Sequence, residues 1–193
     1  LTLRPSSANR WANCPGSVVM ESQFPDDEES HAAREGTAAH WLAADVLQRI
    51  VDTSGSYPLD MDYLNKSTPN GVVITTEMWD AVNVYVRDVM DVSNSFGGLK
   101  QIFIEQPVEI PVVHPQNNGT LDGGVYIDAH QESRLYIWDF KYGWGIVNAY
   151  QNWQLIDYGI GVLAAKQAAG HDVPVEVEFR IAQPRPYHHE GSV

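Results

Sequence analysis

An α/β (α+β) fold, with a mixed central sheet flanked by helices in the order α-α-β-β-β-α-β, is the class the sequence predicts. Three observations predict it. Two stretches with apolar residues at helical spacing come first, three segments with the two-residue alternation of strands follow, and one more helical pattern and one more strand pattern close the chain. The length, 193 residues, suits a single domain: an N-terminal segment over 1–36, a helical part over 37–96 and a sheet core with its helix over 97–193.

The first helix is expected from Thr37 to about Asp52, where Ala39, Leu42, Ala43, Val46, Leu47 and Ile50 recur on one face. Gly55, Pro58, Pro69 and Gly71 punctuate the next stretch. Thr75 or Thr76 then caps a second helix carrying Met78, Trp79, Val82, Tyr85, Val86 and Val89, which ends at Gly97-Gly98. Gln101 to Ile110 alternates as a strand, with Pro107 marking a bulge or an edge. Gly119 to Ala129 and Arg134 to Lys141 read as an antiparallel pair joined by the turn HQES. Asn152 to Ala169 is the third helix, with Trp153, Ile156, Gly159, Ile160 and Leu163 on its apolar face, and Val173 to Gln183 is the last strand, stopped by Pro184-Arg185-Pro186.

Composition narrows the function. Hydrophobic residues make up 44% and charged residues 19%, which excludes a disordered or fibrous chain. No apolar run approaches the ~20 residues of a membrane span, and LTLRPSSANRWANC has neither the apolar core nor the cleavage site of a signal peptide, so a cytoplasmic location is expected. The single cysteine, Cys14, rules out an internal disulfide framework and a Cys-rich zinc site within one chain; it reads as a small buried residue. Twelve basic against 25 acidic residues give a formal charge of -13, which opposes binding to a polyanion. The densest acidic run, Asp26 to Glu29, reads as a solvated loop.

Two carboxylates stand out because each sits in an otherwise apolar strand, where a charge is costly unless paired or bound to a metal. Asp122 lies between Leu121 and Gly123-Gly124, glycines that let something bulky approach the backbone. Asp139 follows Ile137-Trp138, and Lys141, two residues on, shares its face. If Asp122 faces the same way on the neighbouring strand, two carboxylates and an ammonium meet in a plausible cation site. Standing alone, D-x-K is more often a surface ion pair across one strand face. His40 on the first helix and Gln154 with Tyr158 on the third each admit a packing explanation.

In chain order, EGTAAH (35–40), GTLD (119–122), DFKYG (139–143) and QLIDY (154–158) resemble the motif series of the PD-(D/E)XK nuclease superfamily, in its RecB-like exonuclease branch. SSANRWANCPGS near the start and IAQPR at the end of the last strand are similar to a phage and prophage group within that branch, so the resemblance covers most of the chain. It implies a restriction-endonuclease-like fold and a phage-type exodeoxyribonuclease in a bacterial host's cytoplasm, cleaving DNA phosphodiester bonds with a metal-activated water. It further implies that His40, Asp122, Asp139 and the backbone carbonyl of Phe140 ligate Mg²⁺ or Mn²⁺, that Lys141 assists the attacking water, and that Gln154 and Tyr158 hold the lysine or a phosphate. Glu35 matches the group's acid at the start of the helix. Some members carry an iron-sulfur cluster built from four cysteines; one cysteine cannot supply it, so no such cluster is expected.

The basic residues Arg4, Arg10, Arg34, Lys141, Arg180 and Arg185 lie in or beside the matching segments, which raises the expectation of one basic groove. Arg10, Arg34 and Arg185 are the candidate DNA contacts, and Trp11, Tyr142 and Trp144 the candidate stacking surfaces. The partner expected is DNA, with a second copy of the chain or a phage recombination protein as further partners. Two other readings stay open: a non-catalytic binding or structural protein that keeps the nuclease fold, favoured by the acidic balance, and a metal-dependent hydrolase of RNA or a small phosphorylated substrate.

Overall fold

The computed structural model describes residues 3–24, 29–97, 99–128, 132–171, 173–174 and 176–185. Short helices α1 (Ala8–Asn13) and α2 (Ser17–Glu21) come first, then the long α3 (His31–Asp52) and α4 (Thr76–Ser95). Strands β1 (Leu99–Glu109), β2 (Asn118–Asp128) and β3 (Arg134–Phe140) follow, then α5 (Trp153–Ala168) and β4 (Glu176–Ala182). Local chemistry sets the helix starts: Ser30, Thr75 and Asn152 each accept a hydrogen bond from the first turn through their side-chain oxygens.

The four strands lie in the order β1-β2-β3-β4, with antiparallel β1–β2 and β2–β3 pairs and a parallel β3–β4 pair. A parallel pair needs a crossover, and α5 supplies it. Helices α3 and α4 cover one face, where Leu42, Val46, Met78 and Val82 pack with Val125, Tyr136, Trp138 and Phe140. Helix α5 covers the other, where Leu155, Tyr158 and Val162 meet Phe103, Leu135, Ile137 and Ile181. The expected mixed sheet flanked by helices is present, with Pro107 on an edge strand as anticipated.

The differences have identifiable causes. Helix α3 begins six residues before Thr37, because Ser30 caps it and Gly36 is absorbed into its middle. The helices α1 and α2 have too few apolar residues for a periodic signal. The expected apolar face of α5 holds at Gly159, which is buried, and at Leu163, which packs against the core, and is corrected elsewhere: Trp153 and Ile160 are exposed, while Leu155, Tyr158, Gly161 and Val162 face the sheet. The glycines decide this, since a Cβ at Gly161 would lie 2.5 Å from Val108 Cγ1 and one at Gly159 2.8 Å from Phe179 Cζ. The helix buries the side where it can approach closely. Cys14, expected to be buried, is exposed, at the C-cap of the short α1. Asp26, Asp27 and Glu28 of the acidic run, His130 and Gln131 of the HQES turn, and Pro186 lie outside the described residues.

One buried polar pair ties α5 to the start of β2. Asn117 Nδ2 donates to both carboxylate oxygens of Asp157 at 2.9 Å, and both residues are buried. Burial raises the Asp157 pKa and the Asn117 hydrogen bond opposes that rise. Asn117→Ala leaves the carboxylate without this donor, so chemical denaturation should show a loss of about 2–4 kcal/mol. A loss below about 0.5 kcal/mol would mean that water replaces the amide without cost.

Candidate active site

The site forms where the β1–β2 ladder breaks. Paired residues run from Leu99↔Asp128 to Ile104↔Gly123 and resume at Gln106↔Leu121, which leaves Glu105 and Asp122 opposite one another outside the ladder. Glu105 has φ 42°, a left-handed conformation uncommon for a residue with a Cβ. The pleat inverts at this point in both strands. Ile102 and Ile104 pack toward α3 and α4 whereas Val108 and Ile110 pack toward α5, and in β2 Leu121 packs toward α5 whereas Val125 and Ile127 pack toward α3 and α4. Two carboxylates are thereby released from the regular alternation, an irregularity of the kind that re-aims side chains beside functional sites.

Helix α3 brings the third group. His40 Nδ1 lies 3.4 Å from Asp122 Oδ1 and 3.6 Å from Glu105 Oε1. Among the described residues, His40, Glu105 and Asp122 present ligand atoms all within 4.8 Å of one another, a nitrogen and carboxylate set that suits Mg²⁺ or Mn²⁺. Burial opposes charge on His40, but hydrogen bonding and attraction to Asp122 and Glu105 outweigh it and push the imidazole up to about 10. It is therefore protonated at neutral pH until something displaces the proton.

The other half of the site sits beside α5. Lys141 Nζ donates to Asp139 Oδ1 at 2.9 Å, Gln154 Nε2 donates to the same oxygen at 2.8 Å, and Lys141 Nζ reaches Gln154 Oε1 at 3.5 Å. The expectation that Asp139 and Lys141 share a strand face holds. The Asp139 side chain is 2% exposed, and its Oδ2 is buried without a hydrogen-bond partner. Desolvation raises its pKa to about 6; Lys141 opposes the rise and Asp122 adds to it. A buried carboxylate oxygen with no partner is costly, and a divalent cation is a partner that fits it. The Phe140 backbone joins the halves, its N–H donating to Asp122 Oδ2 at 2.7 Å.

Under this junction lies Tyr85 of α4, its ring stacked on Phe140 with centroids 5.0 Å apart and its hydroxyl buried without a partner. A Cβ at residue 123 would fall 2.0 Å from that hydroxyl, so glycine there is what lets α4 approach the site.

A family model described as a protein of unknown function, DUF2800, matches residues 1–191. The chain belongs to the DUF2800 family. In this DUF2800 chain His40, Asp122, Asp139, Lys141 and Gln154 gather as the sequence suggested, with one change of membership. Glu105 completes the cluster with His40 and Asp122, and Asp139 stands outside that triplet, held by Lys141 and Gln154. Glu105 escaped the sequence reading because acids are ordinary on the wet side of an alternating edge strand. Its one signal was a charge between Ile104 and Gln106-Pro107 at a point where the alternation fails.

Other expected roles are corrected. Of the two roles expected for Tyr158, holding the lysine is not seen: the side chain is buried in the α5 core, and a Cβ at Gly119 would lie 2.8 Å from its hydroxyl and 2.9 Å from Pro5 Cδ; holding a phosphate stays an expectation. Arg185 is no free phosphate contact. Its side chain is 10% exposed, paired with Glu77 at 2.7 Å and Glu35 at 3.6 Å, and its guanidinium lies 3.8 Å from the Tyr142 ring centroid. Glu35 thus acts in a clamp joining α3, α4 and the end of β4. Arg10 pairs with Glu21, Arg34 donates to the Asn70 carbonyl, and Arg180 pairs with Asp88 and Glu178. The single basic groove does not form from these residues. Of the expected stacking groups, Tyr142 is buried and Trp11 donates to the Arg4 carbonyl, whereas Trp144 stays 68% exposed beside Arg185.

Proposed function

We propose that this DUF2800 protein is a divalent-metal-dependent deoxyribonuclease, acting as an exonuclease in DNA processing of the phage type. The observation that carries the reading is the meeting, at one break in the sheet, of a His40–Glu105–Asp122 cluster and an Asp139–Lys141–Gln154 cluster joined through Phe140. The ordered resemblance of the sequence motifs to RecB-like nucleases supports it independently. His40, Glu105 and Asp122, with Asp139 and the Phe140 carbonyl, are the groups proposed to hold Mg²⁺ or Mn²⁺. The bound cation supplies Lewis acidity and lowers the pKa of water.

The chain's own residues supply the rest. Lys141 brings an ammonium beside the reacting phosphate, where it offsets negative charge that grows in the transition state. Asp139 and Gln154 fix the direction of that ammonium, and the ion pair with the buried Asp139 carboxylate holds the partly exposed lysine in place. A neutral amide and an acid on either side of the lysine orient it without adding competing positive charge.

The acidic balance and the paired arginines favour a second reading, a non-catalytic protein that keeps this fold. A time course on end-labelled linear and closed circular DNA, with Mg²⁺, Mn²⁺ or chelator, separates the two. Metal-dependent loss of linear DNA with the circle spared is the expected result. No cleavage of either with either metal would remove the nuclease reading.

A further inference from the structure

A groove of about 390 Å³ leaves the site on the Lys141 side. Its walls come from the N-terminal segment, including Asn9, from the connection between β3 and α5, including Asn148 and Tyr150, and from Trp153 and Gln154 at the start of α5. Among the described residues lining it, none is acidic and Lys141 is the one carrying charge, in a chain of formal charge -13. Four other cavities of comparable size each include a carboxylate, Glu109, Asp80, Asp88 or Glu105 among them. The groove is therefore a neutral-to-basic channel on an acidic molecule.

Its ring surface is unusual for a folded chain. Tyr150 is 82% exposed and Trp153 46% exposed, although side chains of this size normally gain by being covered. Gln151 between them has φ 52°, a strained backbone for a residue with a Cβ, and its Nε2 donates to the Tyr150 hydroxyl at 3.3 Å. The connection holds both rings in water instead of folding them onto the core.

The occupant follows from this chemistry. A duplex presents phosphates and hides its base faces, so binding it takes a row of basic groups, and Lys141 is the one basic side chain among the described residues lining the groove. A single strand presents base faces, and stacking on aromatic rings needs little charge. We propose that this groove holds the single-stranded end of a DNA substrate, with bases stacked on Tyr150 and Trp153 and the backbone led to Lys141, so that cleavage acts on single-stranded or frayed ends. The inference rests on the nuclease reading above for the identity of the substrate.

The test uses the full chain with Ca²⁺ in place of Mg²⁺ and measures fluorescence anisotropy of a labelled twelve-residue oligo(dT), an abasic strand of equal length, a blunt duplex, and an oligo(rU). Oligo(dT) should bind at least about tenfold more tightly than the abasic strand or the duplex. Tyr150→Ala and Trp153→Ala should each weaken it by about fivefold or more, whereas Tyr150→Phe and Trp153→Phe, which keep a ring, should hold it within about twofold. Because stacking carries the binding and the Lys141 ammonium is already paired with Asp139 at 2.9 Å, the salt slope should be shallower than -0.7, the single-strand value for one phosphate. Duplex binding as tight as oligo(dT), equal binding of the abasic strand, or indifference to both Ala changes would overturn the groove assignment; tighter binding of oligo(rU) would overturn the assignment to DNA. Cleavage of linear DNA with any of these failures removes the groove and keeps the nuclease. Ring-dependent oligo(dT) binding without cleavage keeps the groove and removes the nuclease.

Discussion

Lys141→Ala should lower kcat by about two orders of magnitude or more while changing the affinity for DNA by no more than about threefold. That split identifies a group whose interaction is made in the transition state. The geometry supports it, since the ammonium is held by Asp139 at 2.9 Å and faces Gln154 at 3.5 Å, so its position is fixed before substrate arrives. The same change leaves a nearly inaccessible Asp139 carboxylate with Gln154 as its remaining partner, so the variant should also lose stability, by about 1–3 kcal/mol. Circular dichroism and single-turnover rates on the folded fraction separate the two effects. A parallel loss of DNA affinity would reduce Lys141 to a phosphate anchor.

Asp139→Asn should also abolish activity, yet move stability in the opposite direction. Burial raises the Asp139 pKa from 3.8 to about 6. A carboxyl whose native pKa is raised binds its proton more tightly in the folded state, so its burden is absent below about pH 4, grows as pH rises from there to about 6, and is complete above that. Asparagine removes the burden, and it keeps an oxygen for Lys141 and Gln154. In chelator at pH 7.5 the variant should be more stable than wild type by on the order of 1–3 kcal/mol, and the gap should close toward pH 4. Urea denaturation at pH 4, 6 and 7.5 reads it directly. An active site that gains stability when a reactive group is neutralised carries strain for function. Equal destabilisation by Asp139→Asn and Lys141→Ala would instead mark an ordinary structural ion pair.

Much of the frame was legible because it depends on periodicity. The α4 cap at Thr75, the three-strand run and the lone carboxylates in apolar strands all follow from alternation, capping and the cost of buried charge. The α5 face was legible in part: Gly159 and Leu163 lie on it as expected, but glycine carries no hydropathic signal, and Gly161, which buries the face through close approach, gave none. Glu105 became visible once register placed it across from Asp122 and the inverted pleat turned both toward His40. The arginines misled for a related reason. Nearness to a motif along the chain says nothing of which face a long side chain takes, and Arg10, Arg180 and Arg185 turned to carboxylates instead of to the site.

The central claim is that His40, Glu105 and Asp122 seat a divalent cation. Titration with Mn²⁺, followed by electron paramagnetic resonance, tests it without DNA or turnover. Wild type should bind Mn²⁺ with a nitrogen ligand that His40→Ala removes, and Glu105→Gln and Asp122→Asn should each weaken binding by about tenfold or more. Because His40, held near 10 by its two carboxylates, must release its proton to ligate, the apparent affinity should rise by about tenfold per pH unit between pH 6 and 8. Mn²⁺ binding that is independent of pH and unchanged in Asp122→Asn and His40→Ala, or absent at millimolar metal, would contradict it.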